Sequence, residues 1–178
     1  MKARLKTIIL TAFGALSVFT AVTVSSCNED KCKAIVCAHG GVCSDGACQC
    51  PDGYEGPTCT IVNRDRFLGI WKVTENGTIT TSASYTISIE EGSSITGVEI
   101  KNFRDKFLGR VSAYVQGDTL YIPEQVVDNH KVLGSGFLEF EPPYGNNGEL
   151  TVKYKVTDEN QHIDDFGIDN GSASSWVR

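Results

Sequence analysis

Six cysteines crowded between Cys32 and Cys59 constrain this chain more than any other feature. They are Cys32, Cys37, Cys43, Cys48, Cys50 and Cys59, separated by four, five, four, one and eight residues. A 28-residue stretch cannot bury enough apolar surface to offset its conformational entropy, so it needs covalent staples. Six cysteines allow fifteen pairings, and spacing alone does not choose among them. A structural zinc site is the competing reading. Cys48-Gln49-Cys50 is too tight for a usual zinc knuckle, however, and no His follows at ligand spacing. Disulfides are the better account.

The ending Cys48-Gln49-Cys50-Pro51-Asp52-Gly53-Tyr54-Glu55-Gly56-Pro57-Thr58-Cys59, with every cysteine gap, resembles an EGF-like module. That resemblance implies the bridges Cys32–Cys43, Cys37–Cys48 and Cys50–Cys59, and a Gly-aromatic turn at Gly53-Tyr54 with a second glycine at Gly56. Asn28 and Asp30 fall close to the acidic positions of calcium-binding members. Lys31 stands where those members carry Glu or Gln, and the loop between Cys43 and Cys48 is too short, so no metal is expected.

The chain opens with Lys2, Arg4 and Lys6, followed by an apolar run from Ile8 to about Val24 and then Ser25-Ser26. A charged start, an apolar stretch and small residues before a cleavage point read as a secretory signal. Val24-Ser25-Ser26-Cys27 resembles the lipobox of bacterial lipoproteins, which implies cleavage before Cys27 and a lipid on its sulfur. Parity points the same way: seven cysteines are six for the module and one left over, Cys27. Each buried methylene adds about 0.8 kcal/mol, and anchoring becomes stable once two or more acyl chains are present. The expected partner of Cys27 is therefore a membrane. Asn28-Glu29-Asp30 resembles a surface-export signal of Gram-negative lipoproteins, so the expected location is the bacterial outer membrane, facing outward or toward the periplasm.

Loss of the three leader cations takes the formal charge from −6 to −9. An acidic chain without basic clusters is a poor partner for nucleic acid. The expected organisation is a signal peptide over 1–26, a lipidated tether over 27–31, the EGF-like module over 32–59, a linker over 60–66 and a β-domain over 67–178.

Alternation dominates the β-domain. Ile70–Glu75, Tyr85–Glu90, Val98–Phe103, Leu108–Val115, Thr119–Ile122, Gly136–Phe140, Leu150–Val156 and Ser174–Val177 all read as strands, and Gly117-Asp118 marks a hairpin. Eight to ten short strands predict an antiparallel barrel, closed by pairing the first strand with the last, or else a sandwich. Gly69-Ile70-Trp71 resembles the Gly-x-Trp signature that opens lipocalins, whose tryptophan packs across the closed end of the barrel beneath a supporting arginine. Arg178, the final residue, is the candidate for that arginine; the plainer reading of Trp71 is a core aromatic. The domain resembles the short lipocalin-like barrels found beside EGF-like modules in bacterial lipoproteins.

No catalytic set, metal site or cofactor is expected. His39, His130 and His162 are scattered, Gly134-Ser135-Gly136 lacks the spacing of a nucleophile elbow, and Asp164, Asp165 and Asp169 read as a solvated acidic loop. The expected function is a non-enzymatic, lipid-anchored envelope or surface protein. Its EGF-like unit would be a stalk or interaction unit, with Ile35, Val36 and Tyr54 as candidate contacts and a protein or glycan as partner. The alternative is a lipocalin-like carrier, with Tyr85, Phe103, Tyr114, Phe137 and Tyr154 lining a cup for a small apolar ligand.

Overall fold

A computed structural model describes residues 31–140 and 148–178. The stretch expected as a signal peptide, Cys27 and residues 28–30 lie outside the described residues.

The N-terminal module is two small hairpins held by three bridges. Strands β1 (Val42–Ser44) and β2 (Ala47–Gln49) pair antiparallel with Cys43 opposite Cys48, and β3 (Tyr54–Glu55) pairs with β4 (Ile61–Val62). The bridges are Cys32–Cys43, Cys37–Cys48 and Cys50–Cys59, the set that the EGF-like resemblance implies. Because β4 belongs to the stretch expected as linker, the module ends inside that stretch and not before it. A 3-10 turn, Asn63–Arg66, then leads into the second domain.

That domain is an antiparallel meander of β5 (Gly69–Glu75), β6 (Ala83–Glu91), β7 (Gly97–Lys101), β8 (Val111–Gln116), β9 (Thr119–Val127), β10 (His130–Phe140), β11 (Gly148–Thr157), β12 (Ile163–Phe166) and β13 (Ser174–Val177). Each strand from β5 to β11 pairs with the next, and β13 inserts between β11 and β5, with Leu150 opposite Trp176 and Trp176 opposite Val73. Eight strands thus close into a barrel, and the open-sandwich alternative falls away. The short β12 lies along the far half of β11, beside the same edge that β13 uses. Residues 76–82, between β5 and β6, form a loop.

Period-two alternation decides what goes inside. Trp71, Val73, Ile87, Ile89, Val98, Ile100, Val111, Val115, Leu120, Ile122, Val132, Leu138, Leu150, Val152, Tyr154, Val156 and Trp176 are buried as one cluster with Phe67, Phe103, Phe107 and Phe166. Their neighbours in sequence, such as Ser112, Lys153 and Val177, face out. Gly134 and Gly136 sit at inward positions of β10. A Cβ on Gly134 would lie 2.5 Å from Tyr154 Cβ, so the glycine makes room for the tyrosine opposite.

The first and last residues of the domain meet across the seam. Trp71 donates its indole N–H to Phe67 O at 2.8 Å. The Arg178 guanidinium lies 4.9 Å from the Trp71 ring and donates to Leu68 O at 2.9 Å. A fully buried tryptophan capped by a cation should dominate local stability. Trp71→Ala is predicted to cost about 3–5 kcal/mol. Arg178→Ala is predicted to cost about 1–2 kcal/mol through loss of the stacked cation and its hydrogen bond. Chemical denaturation of the oxidised protein measures both.

Candidate functional site at the junction of module and barrel

The barrel end nearest the start of β5 carries the stapled module, and two arginines of the 3-10 turn fasten the two together. Arg66 pairs with Glu55 of β3 at 2.9 Å, with Asp118 of the β8–β9 hairpin, and donates to Gly117 O at 2.9 Å. Arg64 pairs with Glu91 at 3.0 Å and donates to Gly92 O and Ser94 O in the β6–β7 turn. A guanidinium suits this work because its planar fork serves several acceptors at once. Gly53 completes the fit: its φ is +88°, and a Cβ there would lie 2.8 Å from Ile95 Cγ2. The turn residue of the module must be glycine for two reasons, backbone handedness and close approach to the barrel.

Between the module and the edge of β8 runs a cleft of about 340 Å³, lined by Asp52, Gly53, Tyr54, Asn63, Thr96, Tyr114 and Gln116 among others. Its aromatic walls are propped from behind. Tyr54 stacks on His39 with ring centroids 3.9 Å apart, and Tyr114 stacks on Tyr121 at 5.2 Å. Asn63 is only 8 % exposed, and its backbone N–H donates to Gly53 O at 3.0 Å, yet its side-chain Oδ1 accepts no hydrogen bond. A buried acceptor in that state costs about 1–3 kcal/mol.

The five aromatics expected to line one cup separate. Phe103 and Tyr154 are buried in the barrel and Tyr85 is half-buried, whereas Tyr114 and Phe137 stand on the outer face, 43 % and 52 % exposed. The reason is register: Tyr114 alternates with buried Ala113 and Val115, and Phe137 with buried Gly136 and Leu138. The three inner rings are part of the packing. Phe103 meets Tyr154 edge-on at 5.0 Å and Trp176 at 6.2 Å, plugging the end away from the module. Its loop holds Asn102, Arg104 and Asp105 at positive φ, a strained path that drives Phe103 inward. Among the described residues the interior is filled, so the five do not form a ligand cup.

At the plugged end Glu75 is buried and accepts from Tyr154 Oη at 2.6 Å and Ser174 Oγ at 3.1 Å. Burial, then the neighbouring carboxylate, pushes the Tyr85 phenol well up; Tyr154 is raised by burial, by Tyr85 and by Glu75. Both stay protonated and able to donate. Asp164 and Asp165, expected in a solvated loop, are instead buried. Asp164 pairs with Arg104 at 2.7 Å and accepts from Ile79 N, Thr80 N and Thr80 Oγ1. Asp165 caps the turn that follows it, accepting from the N–H groups of Ile168, Asp169 and Asn170, with Lys155 nearby at 3.6 Å. The two carboxylates serve different partners: Asp164 pairs with Arg104, whereas Asp165 shares the Lys155 ammonium with Asp169.

The histidines are equally separate. His39 Nδ1 bonds Cys59 O, His130 Nδ1 bonds Asp128 O, and His162 pairs with Asp158 at 3.0 Å, not with Asp164 or Asp165. Of the module's candidate contacts, Val36 is 83 % exposed, Ile35 is half-buried, and Tyr54 packs on His39. Arg64, Arg66 and Asn63 carry the junction, although their stretch reads in sequence as a plain connector. The signal that could have marked them is charge density: Asn63-Arg64-Asp65-Arg66 sets three charges directly after the uncharged run over 56–62.

Gly53→Ala is predicted to cost about 1–2 kcal/mol from backbone handedness alone. It should also shift the amide signals of Ile95 and Thr96, visible by NMR. For Asp164, burial pushes the carboxyl up, but hydrogen bonds from Thr80 and Ile79 and the charge of Arg104 outweigh it and hold the group below its usual range. A depressed folded value means the stabilisation is full above the unfolded value of about 3.9 and fades as pH falls through the lower folded one. Unfolding free energies measured between pH 5 and 2 should therefore fall less steeply in Asp164→Asn than in the parent, about this single carboxylate's share.

Residues 35–62 match the family model of the Teneurin-like EGF domain. The chain is similar to tissue-type plasminogen activator of Mus musculus, 35 % identical over 89 residues, and to that of Rattus norvegicus, 37 % identical over 70 residues. The matches cover 47 % and 32 % of this chain and only 15 % and 12 % of those proteins. The chain thus spans a small part of the length of the relatives it matches. Cysteine spacing, bridge pattern and family match agree that the N-terminal unit is an EGF-like module, here fused to a closed eight-stranded barrel.

Proposed function

We propose that this chain is a non-catalytic, lipid-anchored interaction protein of the bacterial envelope. The EGF-like module acts as a stiff stalk on Cys27 and presents the barrel to a partner outside the membrane. The observation that carries the reading is the double clamp of Arg64 and Arg66, because a stalk orients its cargo only if the joint between them is fixed. A filled interior supports it too, since it leaves the outer surface as the working part. The Arg178 guanidinium over Trp71 supports a lipocalin-like reading of the barrel as a scaffold.

The anchor is tested by metabolic labelling with a radiolabelled fatty acid in a Gram-negative host. Label on the wild-type chain and none on Cys27→Ala is expected, with the variant released from the membrane fraction. Equal membrane retention of the two would contradict the anchor. Protease treatment of intact cells then separates outward display, in which the barrel is cleaved or shed, from a periplasmic orientation.

A further inference from the structure

We propose that the cleft between the EGF-like module and β8 binds a neutral sugar ring, which would make the partner a glycan. The inference rests on the interaction role proposed above and assigns its chemistry. Five side chains carry it: Asp52 and Tyr54 from the module side, Tyr114 and Gln116 from β8, and Tyr121 behind Tyr114.

A pyranose has apolar C–H faces and a rim of hydroxyls, and it needs a flat ring to lie on and acceptors at the edge. Tyr114 supplies the platform. It is 43 % exposed on a rigid strand and braced by Tyr121 stacked at 17°. Tyr54, braced by His39 at 10°, stands on the module wall. Rings fixed in this way lose little rotamer freedom on binding. Asp52 and Gln116 are exposed and line the cleft, where they offer acceptors to the ring hydroxyls. At about 340 Å³ the cleft lies at the small end of the range of roughly 300–1,000 Å³ in which small ligands sit.

Other ligand classes fit less well. The cleft is lined by no Lys, Arg or His, so a phosphate or carboxylate ligand would meet Asp52 with no counter-charge. A purely apolar ligand would strip water from Asp52 and Gln116 and give them no partner. Strand addition by a peptide finds no free edge on β8, which is paired on both sides, to β7 and β9, and only the two residues of β3 on the module wall.

The test is NMR on the full chain in detergent, titrated with methyl glycosides of glucose, galactose, mannose and N-acetylglucosamine, and separately with short uncharged peptides. At least one glycoside should show saturation transfer to its ring C–H protons and shift the Tyr114 and Gln116 side-chain signals. Tyr114→Ala, an outward substitution that leaves the core intact, should weaken that glycoside by about tenfold or more. Gln116→Ala should weaken it as well while the melting temperature stays within a few degrees of the parent. Saturation transfer unchanged in Tyr114→Ala would overturn the site. A response at Tyr114 to peptides but not to glycosides would overturn the sugar assignment and keep the interaction role. Silence toward both would overturn both.

Discussion

Arg66 is the residue on which the arrangement of the two units depends. One guanidinium reaches Glu55 in the module and Asp118 and Gly117 in the barrel hairpin, from a turn that belongs to neither. Its side chain is about one-fifth exposed, so these charges interact in a partly desolvated setting where they are worth more than surface pairs. Without it, and without Arg64 on the β6–β7 turn, residues 60–66 would be a short tether between two independently tumbling bodies. With both, the module becomes an extension of the barrel wall, and a cleft with defined walls can exist between them.

The barrel is built to be a solid block. One end is sealed by Trp71 under Arg178, the other by Phe103 on a strained loop, with Tyr154 and Trp176 beneath it. The carboxylates there are matched: Glu75 is served by Tyr154 and Ser174, and Asp164 by Arg104 and the 76–82 loop. Removing one member of such a set strands the others, which explains why tyrosines rather than phenylalanines sit where the carboxylate enters the core. Such an interior holds the eight strands in one shape and leaves recognition to the outside.

Much of this was legible from the residues. The resemblance to EGF-like modules implied the bridges, and the alternation of Leu150, Val152, Tyr154 and Val156 gave the inward face of β11. Gly117-Asp118 gave the hairpin, and the seam between first and last strand followed from the need to remove edges. Less legible was anything that depends on pairing across long separations. Arg104 finds Asp164 sixty residues away. The same distance problem disguised Asp164 and Asp165 as a wet loop, because their sequence neighbours are polar while their spatial neighbours are donors. Tyr114 and Phe137 were read as cup residues because aromatic type was weighed above strand parity; parity against Ala113, Val115 and Leu138 turns both outward. The junction is hidden in sequence because seven residues without Gly or Pro look like a connector, whereas in space Arg66 has acceptors on both sides and Arg64 has its own in the β6–β7 turn.

The clamp of Arg64 and Arg66 predicts that the EGF-like module and the barrel move as one body. Backbone residual dipolar couplings on the isotopically labelled, oxidised chain test this directly. Couplings from the module and from the barrel should fit a single alignment tensor, with the Tyr54 and Tyr114 amides both described by it. Two tensors of clearly different magnitude or orientation would show a flexible joint, and both the stalk and the cleft would fail with it.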